Sequence, residues 1–164
     1  MNWNNLQTAN GNAGEIPALL AQLTLFPDEE IYEDDPWFSL WGNLFYEGTL
    51  YSAAFAAVPE IVRIMASAPE KATLSFFLLP LSIEIARQKE DVAVAPELWP
   101  AYQQAISQLA EVAARCIAVN KKPDIARVAT AAFAISAGLH QYAELLVEVK
   151  DENVAEILEW CLEG

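Results

Sequence analysis

Apolar residues recur along most of the chain at spacings of three and four, the pattern of helices with one covered face. From Glu15 to Leu25 the residues Ile16, Leu19, Leu20 and Leu23 share a face, and Pro17 fits the first turn, where a backbone N–H has no partner anyway. The period lapses over residues 26–35, which predicts a solvated connection. Asp34 or Asp35 can cap the next helix, with Pro36 at its first position and Trp37, Leu40, Trp41, Leu44 and Phe45 on one face up to Gly48. A helix beginning at Thr49 or Ser52 follows, striped by Tyr51, Phe55, Val58, Val62 and Met65. Ala53, Ala54, Ala56 and Ala57 keep its surface thin enough for close helix approach, and Pro59 is expected to bend it.

The same pattern continues. Pro69 heads a helix with Leu74, Phe77, Leu78, Leu81 and Ile85 on its face, kinked at Pro80 and leaving through Arg87–Asp91. Pro96 opens a long segment to about Val119, with Leu98, Tyr102, Ile106, Leu109, Val112 and Cys116 in register. Lys121 and Lys122 at its end complement the helix dipole. Pro123 and Asp124 begin a helix over Ile125–Ala137 that is small and apolar nearly all round, so it should lie between neighbours, and Gly138 breaks it. Two short helices remain, Gln141–Val149 and Asn153–Leu162. The last should turn Val154, Ile157, Leu158 and Cys161 inward and Glu152, Glu156, Glu159 and Glu163 outward, as a terminal cap.

Helix pairs thus recur at 36–68, 69–119 and 123–162, near the repeat of about 40–47 residues of two-helix arrays, although no strict consensus repeats. The expected fold is all-α: antiparallel helical hairpins stacked as a short α-solenoid or irregular array, because such units bury their second face only against neighbours. One domain over 1–164 is expected, with residues 1–13 a polar segment of flexible composition. A hydrophobic content of 54% suffices for a continuous core. The most apolar run, Ala72–Ile83, contains Pro80 and falls short of the roughly 20 residues a membrane span needs, so it reads as a core helix.

Charge sharpens this picture. The net charge is −14, and it is uneven. Residues 1–62 carry nine acids and no Lys or Arg, residues 63–143 carry seven acids and eight bases, and residues 144–164 carry seven acids and Lys150 alone. A field of that sign repels nucleic acid and anionic membrane surfaces and attracts basic proteins. No secretory signal is visible, so the expected location is cytoplasmic. Cys116 and Cys161, far apart and flanked by apolar residues, read as buried thiols of a reducing compartment.

Candidate chemistry is sparse. His140 is the only histidine and has no nucleophile in a motif context, so it reads as a helix-end group rather than a base. Asp28, Glu29, Glu30, Glu33, Asp34 and Asp35 lack the glycine and the alternating order of a calcium loop, so no metal is expected. With Tyr32 in their midst they offer carboxylates to Lys and Arg of a basic partner. Glu84, inside an apolar helix and three residues before Arg87, reads as a salt-bridged structural residue. No phosphate-cradling, dinucleotide or hydrolase motif occurs, and neither a cofactor nor catalytic residues are expected.

The segment Leu40-Trp-Gly-Asn-Leu-Phe-Tyr-Glu-Gly48, continuing through Tyr51, Phe55 and Pro59, resembles bacterial HEAT-like repeat proteins over Trp37 to Met65. The resemblance implies a HEAT-like array and, since some members are held to be immunity proteins against polymorphic toxins, a toxin as partner. Relatives often carry a histidine where this chain has Tyr46, so any polar role of that histidine is not implied. Read from the residues alone, Gly48 supplies a left-handed turn and the Trp and Leu positions face a core, while Tyr46, Glu47 and Tyr51 are the polar members able to reach a surface.

The expected function is therefore a non-catalytic protein-interaction module for a basic protein. Its candidate contacts are the acidic strip 28–35, Tyr46, Glu47, and Glu156 and Glu159 of the C-terminal cap. Two alternatives stand beside it: a small enzyme with an acidic cleft, or a self-associating subunit with a patch built from Trp3, Trp99 or Trp160, in which case the chain forms homo-oligomers.

Overall fold

The computed structural model describes residues 2–29, 34–149 and 151–163. The chain is mostly helical, with eight α-helices and four two-residue strands among the described residues. In order they are β1 (Gln7–Thr8), β2 (Gly11–Asn12), α1 (Ile16–Gln22), α2 (Trp37–Leu44), β3 (Phe45–Tyr46), β4 (Thr49–Leu50), α3 (Ser52–Ser67), α4 (Leu74–Lys89), α5 (Trp99–Val119), α6 (Pro123–Ser136), α7 (His140–Glu148) and α8 (Val154–Glu163).

Helix α3 is the hub. Ten of its sixteen residues are buried, including Ala53, Ala54, Ala56 and Ala57, so its surface is thin on nearly every side. Helices α1, α2, α4 and α5 all pack on it, and so does β1. Helix α5 lies against α3 and α6, while α4 lies against α3, α6 and α7. As its composition predicts, α6 is covered on several sides, with Val128, Ala129, Ala131 and Ala132 fully buried. Pro59 and Pro80 each remove one backbone hydrogen bond, yet both lie inside helices that continue on either side. No helix among the described residues is long and apolar enough to cross a membrane.

Several sequence expectations change. Pro69–Lys71 is a 3-10 turn, and α4 starts only at Leu74. The polar N-terminal stretch forms the β1–β2 hairpin, tied down by Gln7 N donating to Ser52 Oγ at 2.8 Å and Ala9 N donating to the Asn43 carbonyl at 3.0 Å. Helix α2 ends at Leu44, and residues 45–50 form a second hairpin. Its two turn residues, Glu47 (φ +48°) and Gly48 (φ +80°), have the paired positive φ that lets a two-residue turn follow strand twist.

The C-terminus departs most. Helix α8 contacts chiefly the 3-10 turn Asp151–Asn153 that precedes it. Val154, Leu158 and Cys161 are exposed and Ile157 half-buried, so the expected inward face covers no core. Cys116 is the buried thiol that was expected; Cys161 is not, and both are free.

One buried charge joins α4 to α5. Glu84 is 4% exposed. Its Oε2 accepts from Arg87 Nε and from the Tyr102 hydroxyl, each at 2.7 Å, and its Oε1 accepts from Arg87 Nη2 at 2.9 Å and Gln88 Nε2 at 3.0 Å. Four donors meet one carboxylate, the condition under which a buried ion is tolerated. Burial alone would push the Glu84 carboxyl up, but the bonds from Arg87, Gln88 and Tyr102 and the charge of Arg87 together hold it below its ordinary value. Burial and the neighbouring Glu84 charge push the Tyr102 hydroxyl strongly up, so it stays a donor. The Arg87 guanidinium also lies 5.3 Å from the Trp99 ring centre.

Truncating Glu84 strands Arg87, so Glu84→Ala should cost about 3–5 kcal/mol. Tyr102→Phe removes one bond to a charged acceptor and should cost about 1.5–3 kcal/mol. Because the folded-state pKa of Glu84 lies below that of the unfolded chain, its contribution is complete above about pH 4.3 and is lost as the pH falls through the folded value. Urea unfolding followed between neutral and acid pH should therefore show a smaller loss of stability on acidification for Glu84→Gln than for the native chain.

Candidate functional site

A concavity of about 580 Å³ lies between α2, the β3–β4 hairpin and the start of α4. Its aromatic walls arise because α2 carries more apolar surface than its neighbours cover. Trp37, Leu40 and Leu44 are buried, Trp41 and Phe45 are half-buried, and Phe38 and Tyr46 are 46% and 51% exposed. Trp37 is fixed edge-on against Phe76 of α4, with ring centres 4.9 Å apart at 82°. Trp41 lies 6.2 Å from Phe45 and donates its indole N–H to Ser75 Oγ at 3.3 Å. Trp37 lines the same cleft at 4% exposure, and its indole N–H has no acceptor among the described residues. Gly42 sits in the helical wall, and a Cβ built there would meet nothing within 4 Å.

Among the described residues, the carboxylates of Glu29, Asp34 and Glu47 line this aromatic space, and no Lys or Arg does. They are not equivalent. Thr73 begins α4 without using its hydroxyl as a cap; that hydroxyl donates instead to Glu29, and Ser75 N donates to both Glu29 carboxylate oxygens at 3.1 Å. Glu29 thus caps a helix that begins far along the chain and places its charge at the positive end of α4. Asp34 is half-buried, and its backbone carbonyl accepts from Phe38 N at 3.0 Å. Glu47 is exposed on the hairpin turn and holds a left-handed φ at which Asn, Asp or Gly would be more at ease.

Of the residues expected from sequence to meet a partner, Glu29, Asp34, Tyr46 and Glu47 come together at this cleft. Asp35 is exposed, and its Oδ1 accepts from Ser39 N at 3.2 Å, which makes it the cap of α2. Asp28 is exposed and outside the lining, as are Glu156 and Glu159 on α8. Glu30, Tyr32 and Glu33 lie outside the described residues. The acidic strip is therefore only partly a solvated loop, since two of its carboxylates start helices. Sequence reasoning placed Trp41 and Phe45 in the core and passed over Phe38. The available signal was Phe38 itself, an aromatic off the apolar stripe and next to the acids.

Compared with known protein families, curated proteins and solved structures, the chain matches none.

The two outer carboxylates predict opposite effects on stability. Glu29→Ala removes the cap of α4 and should cost about 1 kcal/mol. Glu47→Asn relieves the turn and should leave stability unchanged or raise it by a few tenths of a kcal/mol, on the order of other turn optimisations. Chemical denaturation of the two variants alongside the native chain checks both signs.

Proposed function

We propose that the chain is a non-catalytic interaction module that binds a basic protein, with the aromatic, acid-lined cleft between α2, the β3–β4 hairpin and α4 as its contact. The observation that carries this reading is the composition of the cleft: among its described lining residues are five aromatic side chains and three carboxylates, and no Lys or Arg. Aromatic faces and carboxylates both attract positive charge, and rigid aromatic anchors in a pocket are the usual source of binding energy at protein interfaces. The net charge of −14 favours encounter with the same kind of partner. The proposal includes the architecture, HEAT-like hairpins stacked side by side, with the pairs regrouped from the 36–68, 69–119 and 123–162 expected from the sequence to α3–α4 and α5–α6. Packing of α3 on α5 and of α4 on α6 supports that arrangement, while α7 turns back onto α4. The resemblance of Trp37–Met65 to HEAT-like immunity proteins makes a cationic toxin, encoded beside this chain's gene, the first partner to try.

A second reading, self-association, is favoured by α8, where Leu158, Trp160 and Leu162 are 56%, 77% and 86% exposed. Trp99, at 37%, is less available and lies over Arg87.

Calorimetry with cationic products of the flanking genes should find a complex whose affinity falls at least about tenfold as salt rises from about 50 to about 500 mM, since screening shortens the reach of surface charge. Trp41→Ala should abolish most of that affinity. Binding indifferent to both salt and Trp41 would sink the proposal. For the second reading, light scattering should show an oligomer that Trp160→Ser or Leu162→Ser returns to monomer; a monomer at all concentrations rules it out.

A further inference from the structure

We infer that the guest of the α2–α4 cleft is a single arginine side chain of the partner protein, inserted between the aromatic walls with its guanidinium on the acidic rim. This rests on the reading of the chain as a binder of basic proteins and narrows it to one residue type.

Four observations converge on arginine. Two of the lining aromatics, Trp41 and Tyr46, are partly exposed, and a guanidinium stacks on aromatic rings better than a compact, strongly hydrated ammonium. The rim carboxylate of Glu47 offers paired oxygens, and the planar fork of arginine matches a carboxylate with two parallel bonds. The chain already holds this arrangement in its interior: Arg87 meets both oxygens of Glu84 through Nε and Nη2 while its guanidinium carbon stands 5.3 Å from the centre of Trp99. The cleft repeats the aromatic and acidic halves of that trio in Trp41, Tyr46 and Glu47, and no Lys or Arg stands among its described lining residues. Finally, a volume of about 580 Å³ is within the range of built ligand pockets, leaving room beside Gly42 for the peptide unit that carries the side chain. A peptide carbonyl would bring an acceptor to the wall in which the Trp37 indole N–H has none among the described residues.

The source is an arginine within a polypeptide rather than the free amino acid. Free arginine would have to bury an α-ammonium and an α-carboxylate, both strongly hydrated, where a peptide presents neutral amides.

The test uses the full chain, isotope-labelled, titrated with acetyl-Gly-Arg-Gly-amide, its lysine and citrulline counterparts, and free L-arginine, and followed by the Trp41 indole N–H resonance. The arginine peptide should shift that resonance saturably with a dissociation constant on the order of a millimolar, the scale of a one-residue contact. Lysine should bind at least about fivefold more weakly, and citrulline, equal in shape but uncharged, should not saturate. Free L-arginine should be weaker than the capped peptide. Glu47→Asn, which keeps the hairpin, should weaken the arginine peptide several-fold, and Gly42→Leu should block it. Citrulline binding as well as arginine, lysine binding as well as arginine, or no saturable shift would each overturn the inference. A basic partner that still binds with salt dependence when the arginine peptide does not would leave the interaction module standing and remove only the arginine pocket. Loss of both would remove the module as well.

Discussion

Helix α3 has to be packed on nearly all sides, and the remaining helices are arranged by that requirement. Its buried alanines contribute little apolar area each, so they stabilise the fold only if neighbouring helices come close enough to fill the space their small side chains leave. Helices α1, α2, α4 and α5 do so. A helix pressed against α3 cannot also spread its other face freely, and each neighbour needs a further partner. For α5 that partner is α6, and for α4 it is α6 and α7. Polar pins then fix how the layers sit. Glu84 and Tyr102 tie α4 to α5, Arg115 donates to the Ala66 carbonyl at the end of α3, and Arg127 of α6 donates to the Leu146 and Val147 carbonyls near the end of α7.

The cleft follows from the same packing. Helix α2 is only eight residues long, with Leu40 and Leu44 buried, and α4 reaches it through Phe76 and Ser75 near its own start. Among the described residues, the rings of Trp41, Phe45 and Tyr46 are therefore covered only in part. That start of α4 also needs an anion, and Glu29 supplies it. A carboxylate is thus anchored at the edge of an aromatic hollow as a consequence of capping. Glu47 has no such duty in the described structure; its backbone is held in a conformation that other residues adopt more readily.

The helical body was legible in the sequence because a covered face leaves a period of three and four. Leu98 to Cys116, for instance, lies on α5 with Tyr102, Leu109, Val112 and Cys116 buried in register. The salt-bridged role of Glu84 was legible for a related reason, since a carboxylate among apolar neighbours has to have a counter-ion close along the helix. Three features were hidden, each for a physical reason. The β3–β4 hairpin depends on two consecutive positive φ angles, and Glu-Gly is a weaker signal for them than Asn-Gly. The cleft was hidden because Trp41 and Phe45 keep helical spacing with Trp37 whether or not anything packs across from them. Periodicity reports a face and is silent about its cover. Helix α8 shows the same limit, for its amphipathic pattern is sound and its apolar side still lies open. The acidic strip misled in the opposite direction, because the capping duties of Glu29 and Asp35 depend on partners that only the fold brings within reach.

Charge and shape make separable contributions to any partner's choice of this surface. The field of the acidic chain extends about one Debye length, roughly 8 Å at physiological salt, beyond the surface, so it gathers cations without distinguishing them. Attraction of that kind raises the rate of encounter and leaves residence time nearly untouched. Residence needs contacts that are lost only when the complex parts, and on the proposed reading those would be made where rings and carboxylates share one hollow. On that reading the majority of the acids and the few that line the cleft would act at different stages of one event. A partner rich in positive charge but without a side chain to fill the hollow would arrive quickly and leave quickly.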